Sequence, residues 1–205
     1  MEFVKFFQTG GPFMYPILII FALGLAIALE RFIYLSKTHA KTRKVWSQLV
    51  PMLKANDFQR AVKLTETVKT PLAKMLNYGF ARHGANKRRE IIESAMEEGM
   101  MDALPELEHR THYLATFANI ATLMGLLGTI VGLIQAFTAV AAADPAEKAD
   151  LLSASISVAM NTTAFGLIAA IPLLLLHSYL ITKTARLIDN LEMAAVKTLN
   201  LMIKD

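Results

Sequence analysis

Long stretches without any charged side chain alternate along this chain with segments that hold most of its charge. Asp, Glu, Lys and Arg are absent from residues 6–29, 113–143 and 151–182. Each stretch exceeds the roughly 20 apolar residues that a helix needs to cross a hydrocarbon core of about 30 Å. The pattern predicts an all-α membrane protein with three transmembrane helices. We expect the first run to be retained as a span, because it is too long for a secretory signal and no small-residue cleavage site follows it.

The distribution of basic residues predicts the orientation of the spans. Lys and Arg are frequent after the first span and follow the third, whereas the loop between the second and third is short and net acidic. Lys and Arg favour the cytoplasmic side. We therefore expect a periplasmic N-terminus and a cytoplasmic C-terminus. The predicted segments are 1–35 for the N-terminus and first span, 36–110 for a cytoplasmic helical region, 111–143 for the second span, 144–150 for a periplasmic loop, 151–182 for the third span and 183–205 for a C-terminal helix.

The cytoplasmic region has the periodicity of helices. Apolar residues recur at helical spacing between residues 45 and 64, with a break and helix N-cap at Asn56-Asp57. Thr70-Pro71 predicts another helix start, because Pro is tolerated in a first turn. A further helix is expected from about Lys87, and no strong stop signal prevents it from running straight on into the second span.

The uncharged stretches exceed what the hydrocarbon requires. As a helix, residues 113–143 would be roughly 45 Å long. We therefore expect the second and third spans to project beyond the bilayer and to form a bundle with the cytoplasmic helices.

A stripe of small side chains follows one face of the second span. Alternating steps of three and four residues meet only Gly, Ala and Thr, at Ala115, Ala118, Thr122, Gly125, Thr129, Gly132, Ala136, Ala139 and Ala143. Helices in lipid associate mainly through close packing of small residues. The simpler interpretation is a packing seam within one subunit. The length of the stripe favours a seam that also lines a narrow channel for a partner helix.

The third span carries a similar small face and several polar side chains. Ala159, Thr163 and Gly166 share that face. A hydroxyl in a membrane usually bonds a backbone carbonyl one turn back, which is the simpler explanation for Thr162 and Thr163. The amide of Asn161 needs a partner or water, so we expect it to face protein rather than lipid.

Ionisable groups are nearly absent from the predicted spans. His177 is the one histidine in the three uncharged stretches, and we interpret it as interfacial. A proton carrier must lie within the membrane to use the field, which supplies about 2.3 kcal/mol per charge per 100 mV. If the chain conducts protons, a second protein must therefore supply the acid.

Other chemistry is poorly supported by the sequence. No combination of nucleophile, acid and base is evident, and the absence of Cys excludes a thiol nucleophile and a Cys-based metal site. We expect neither an enzyme nor a bound cofactor or metal. The net charge of +4 comes from basic residues at the span ends, which indicates membrane topology and lipid contact rather than nucleic acid.

Two segments strongly resemble signatures of the ExbB/TolQ/MotA proton-channel family. Residues 114–137, which include Leu-Met-Gly-Leu-Leu-Gly-Thr-Ile-Val-Gly, are similar to the second-span signature, and residues 156–172, which include Met-Asn-Thr-Thr-Ala-Phe-Gly, to the third. Ala28-Leu-Glu-Arg31 resembles the end of the first span. The resemblance covers essentially the whole chain and is closest to ExbB. It implies a homopentamer around a dimer of single-span ExbD/TolR-like helices, a partner Asp that carries the proton, and a TonB-like periplasmic client.

By motif, the resemblance implies that Thr129 and Thr163 face the channel. Such a hydroxyl can donate to an ionised Asp and accept from a protonated one. Val158 stands at the position where ExbB and TolQ commonly have Glu. The partner Asp would therefore be the group that carries the proton. We expect the channel lining to comprise Thr129, Thr163, Thr122, Gly125, Gly132, Ala159, Asn161 and Thr162.

The implied function is that of an ExbB-like subunit of a bacterial inner-membrane motor, which uses the proton motive force to energise TonB-dependent outer-membrane transport. A TolQ-like role in envelope maintenance is the alternative within the family. A flagellar stator subunit fits less well, because the resemblance implies four spans and a larger cytoplasmic region for stator subunits, whereas three spans are predicted here. A non-conducting membrane scaffold is the alternative from another class, and the missing Glu favours it slightly.

Overall fold

A computed structural model describes residues 6–7, 9–85 and 88–203, and no strand occurs among them. The long helices are α1 (Met14–Lys54), α2 (Phe58–Thr67), α3 (Pro71–Ala85), α4 (Arg89–Glu108), α5 (Tyr113–Ala142) and α6 (Lys148–Met202). Three stretches are long and apolar enough to cross a membrane, namely α1, α4 with α5, and α6. The prediction of an all-α chain with three such stretches is confirmed. Lys87, the expected start of α4, lies outside the described residues.

The chain divides into two compact units. The first comprises Met1–Glu30 and Arg110–Tyr179, and the second comprises Arg31–His109 and Leu180–Asp205. The helices α1 and α6 therefore contribute residues to both units.

The first unit combines a close-packed interior with an apolar exterior. Gly24 lies directly against Leu173, since a Cβ at Gly24 would be 2.6 Å from a Leu173 methyl group. Many large apolar side chains remain exposed, among them Leu123, Phe137 and Leu175 at 62–67%. An exposed apolar surface of this extent marks a site of membrane or protein contact.

The second unit is built around the contact of α3 with α4. Gly99 permits this contact, because a Cβ there would lie 2.9 Å from the Cα of Met75. Met75 and Ile92 are fully buried. At the rim, the Lys74 ammonium lies 2.9 Å from the Asp102 carboxylate. This hydrogen bond lowers the pKa of the Asp102 carboxyl and raises the pKa of Lys74 from their ordinary values.

The two helix starts predicted in this unit are confirmed. Asp57 is the N-cap of α2, where its Oδ1 accepts a hydrogen bond from the Arg60 N–H at 3.2 Å. The α3 helix begins at Pro71, and the Thr70 hydroxyl accepts from the Ala73 N–H at 3.2 Å. Both side chains satisfy first-turn amides that have no intrahelical partner.

The expectation that α4 continues straight into the second span is wrong. The α4 helix ends at Glu108, and Arg110 has a left-handed φ of 62° before α5 begins. A non-glycine residue in this conformation cannot extend a right-handed helix. The end of α4 is also capped by Arg31, which is 2% exposed and donates from Nη2 to the carbonyls of Glu106 and Leu107 at 3.0 and 2.8 Å. Such carbonyls have no partner within their own helix.

Candidate channel-facing site

Two glycines bring α5 and α6 into backbone contact within the first unit. A Cβ at Gly125 would lie 3.2 Å from the Cα of Thr163 and 3.3 Å from that of Gly166. A Cβ at Gly166 would lie 2.7 Å from the carbonyl oxygen of Ala121. Because the nearest atoms are backbone, no side-chain movement can make room for a larger residue.

This close approach places two threonine hydroxyls together. Thr129 Oγ1 and Thr163 Oγ1 both lie within hydrogen-bonding distance of the Gly125 carbonyl oxygen, at 3.2 Å and 2.9 Å. The two hydroxyls are also in hydrogen-bonding contact with each other, and both side chains are only half-buried. A hydroxyl has one proton and two lone pairs. The pair can therefore redistribute its hydrogen bonds when a third polar group approaches from the exposed side.

The two neighbouring threonines are placed differently. Thr122 is exposed, and its hydroxyl donates to the Ala118 carbonyl one turn back at 3.1 Å. Thr162 is 2% exposed and bonds the carbonyls of Val158 at 3.0 Å and Gly10 at 2.5 Å. The hydrogen bond to Gly10 therefore connects α6 to the segment that precedes α1. In the single chain, the Thr162 side chain does not reach the surface.

The remaining predicted lining residues contact other parts of the first unit. A Cβ at Gly132 would lie 2.9 Å from the Cβ of Ala159, which is 1% exposed, so these two residues pack against each other. Asn161 is half-buried and donates from Nδ2 to the Thr9 hydroxyl at 3.4 Å. The structure thus brings Gly125, Thr129 and Thr163 together, with the Gly132 and Ala159 contact beside them. Asn161 lies next to the N-terminal segment.

The small-residue stripe of α5 contacts α6 at Gly125 and Gly132. Ala118, Gly125 and Ala136 are buried, whereas Thr122 and Ala139 are exposed. Packing within the subunit accounts for the buried members. The exposed members remain available to another helix.

The segment before α1 also contributes to this region, which the sequence patterns did not predict. Gly11 has a φ of 76°, a conformation that favours glycine, and a Cβ there would lie 3.3 Å from Val158 Cγ1. Val158, which departs from the pattern of the resembled family, therefore packs against this turn. The Gly10-Gly11-Pro12 sequence is a turn signal that could have indicated the feature.

Charged and metal-binding groups contribute little to this region. Glu30 pairs with Arg110 at 3.7 Å where both side chains are about half exposed. His177 is half-buried. Across the described residues, no group of three or more His, Cys, Asp or Glu side chains is placed to hold a metal ion.

Three helical stretches that are long and apolar enough to cross a membrane are typical of a multi-pass helical membrane protein. The particular family follows from comparison with known proteins. The chain belongs to the MotA/TolQ/ExbB proton channel family, whose model matches residues 67–193, more than half of the chain. The match includes both threonines of the pair.

Several relatives carry the names of ExbB and TolQ. An ExbB homolog of Methanothermobacter thermautotrophicus is 29% identical over 192 residues, which cover 93% of this chain and 67% of that protein. An ExbB-like protein of Synechocystis is 26% identical over 169 residues, covering 82% and 80% of the two chains. The Tol-Pal system protein TolQ of Haemophilus influenzae is 36% identical over 86 residues, covering 42% and 37%.

Proposed function

We propose that this chain is the ExbB-like subunit of a proton-driven motor in a bacterial inner membrane, which energises TonB-dependent transport across the outer membrane. The observation that carries the proposal is the half-buried Thr129 and Thr163 hydroxyl pair in a helix contact without any acid. Family membership and the ExbB-named relatives support it.

The chemistry requires a partner that supplies the proton carrier. Residues 113–143 and 151–182 contain no Asp or Glu, and Val158 fills the position of the family carboxylate. A single-span ExbD- or TolR-like helix provides an Asp beside the threonine pair. The hydroxyls donate to the ionised carboxylate and accept from the protonated one, so both charge states of the Asp find a partner. This lowers the cost of holding a carboxylate in a low-dielectric environment.

The assembly we propose is a pentamer of this chain around two partner helices. The N-terminus is periplasmic and the C-terminus cytoplasmic, and the second unit lies in the cytoplasm. The exposed small residues beside the α5 and α6 contact, such as Thr122, face the partner helices, and the large apolar side chains face lipid. A TonB-like periplasmic client receives the motion.

The test replaces each hydroxyl by a methyl group of similar size. Thr129→Val and Thr163→Val should each reduce client-dependent uptake to the level of a strain without the protein, while native mass spectrometry still finds the assembled complex with its partner. Thr138→Val is the matched control. Thr138 is an exposed α5 residue whose hydroxyl donates to the Ile134 carbonyl one turn back, at 2.8 Å. Normal uptake in both pair variants would remove the threonines from the mechanism.

A TolQ-like role is the second candidate, favoured by the match to TolQ over 86 residues. The two roles are separated by complementation. Restored siderophore uptake in a strain lacking its own ExbB supports the main proposal, whereas restored detergent resistance in a strain lacking its own TolQ supports the alternative. A non-conducting scaffold, which Val158 favours slightly, predicts neither result.

A further inference from the structure

A cavity of about 520 Å³ lies within the second unit, separate from the threonine pair. It is open to the surface and is lined by α1, the end of α2, the connection between α2 and α3, α3 and α4. Its charged lining consists of Lys37, Lys41, Lys69, Lys74, Glu66 and Glu106.

The charges that line the cavity do not cancel. Lys74 and Glu106 offset each other, because the Lys74 ammonium lies 3.8 Å from the Glu106 carboxylate, and Lys74 also lies 2.9 Å from Asp102, which is not part of the lining. The other three lysines form no hydrogen bond or ion pair with any residue that the structure describes. Among the lining carboxylates only Glu66 is left to oppose them. The cavity therefore carries an excess of positive charge that an anion would neutralise.

The amino end of a helix adds to the attraction for an anion. Thr70 and Pro71, at the start of α3, line the cavity. The amino end of this 15-residue helix favours negative charge. An anion in the cavity is therefore stabilised by the lysines and by the helix end together.

The position of the cavity along α1 places it beside the membrane surface. Tyr34 and Lys41 line it on α1, five and twelve residues after Leu29, the last residue of the uncharged stretch. At 1.5 Å per residue they lie about 7 Å and 18 Å beyond that point. The headgroup layer is roughly 5–8 Å thick on each side of the hydrocarbon. The Tyr34 end of the cavity is therefore at headgroup depth, where Tyr is enriched.

We propose that this cavity binds a phosphate ester, the chemistry shared by an anionic glycerophospholipid headgroup and by soluble glycerol phosphate. The ammonium groups of Lys37, Lys41 and Lys69 donate to the phosphate oxygens. Because the cavity does not include the threonine pair, its binding of a phosphate ester can be tested independently of the proposed motor function.

The test measures binding to the full purified chain after delipidation in an uncharged detergent. Native mass spectrometry compares retention of phosphatidylglycerol with that of phosphatidylcholine, and calorimetry measures binding of sn-glycerol 3-phosphate. The combined variant Lys37→Gln, Lys41→Gln and Lys69→Gln should weaken binding by about tenfold or more, because charge-assisted hydrogen bonds are the strong ones. All three lysines are exposed, so the variant is expected to fold, which circular dichroism checks.

The matched control changes three lysines of the same unit that do not line the cavity, with Lys44→Gln, Lys54→Gln and Lys63→Gln. It alters net charge equally and should retain binding. Lysine-dependent binding of phosphatidylglycerol, of sn-glycerol 3-phosphate or of both supports the proposal and identifies the source of the phosphate. The proposal is overturned if neither probe binds, or if the two triple variants lose binding to the same extent.

Discussion

Gly166→Ala tests whether backbone contact between α5 and α6 builds the candidate site. The added Cβ would lie 2.7 Å from the Ala121 carbonyl oxygen and 3.1 Å from the Cα of Gly125, whereas ordinary contact begins at 3.4 Å. Both obstacles are backbone, so the helices must separate by about 0.7 Å. A gap of that size forfeits a quarter to a half of each dispersion contact. Overpacking of this kind costs about 1–3 kcal/mol.

The assay is reversible unfolding of the purified protein in detergent, followed by circular dichroism. Gly84→Ala is the control, since a Cβ there meets nothing within 4 Å and Ala is the better helix former by about 0.5–1 kcal/mol. We expect Gly166→Ala to destabilise the protein and Gly84→Ala to leave it unchanged or more stable. Separation of the helices should also part the two threonine hydroxyls and reduce motor activity. Wild-type stability and activity in Gly166→Ala would refute the reasoning.

Two further predictions concern the second unit. The lowered pKa of Asp102 means that its pairing with Lys74 stabilises the fold above the ordinary carboxyl pKa, and that this contribution is lost as the pH falls through the lowered value. The difference in unfolding free energy between the wild type and Asp102→Asn should therefore shrink below about pH 4, and a difference independent of acid pH would contradict the pairing. Arg31→Met should destabilise the protein by about 2–4 kcal/mol, because it removes two hydrogen bonds from a charged, buried donor to the end of α4; an unchanged denaturation midpoint would show that the cap is dispensable.

Local patterns in the sequence predicted the helices well. The spans follow from the absence of charge over 24 or more residues, and the helix starts at Asp57 and Pro71 follow from capping chemistry. The break at Arg110 was not predicted. Neither Gly nor Pro occupies that position, and the end of α4 is stabilised by Arg31, which lies 75 and 76 residues from the carbonyls it bonds.

The candidate site was predictable in its residue types but not in its contacts. The motif pointed to Thr129 and Thr163, yet their hydrogen bond joins residues 34 apart and depends on how closely two glycines bring the helices together. Thr162 sits beside Thr163 in sequence but points to Gly10, since neighbouring residues on a helix differ in direction by about 100°. The sequence did not indicate the cavity of the second unit, because its lysines come from α1, from the connection between α2 and α3, and from α3, which are separated along the chain.

The most direct test of the central claim is proton uptake into liposomes under an imposed membrane potential, read with an entrapped pH-sensitive dye. The chain alone should conduct no better than empty liposomes, because its spans carry no acid. Reconstitution with a single-span ExbD-like partner should produce proton uptake, which Asp→Asn in the partner's span abolishes. Proton uptake by the chain alone would contradict the account.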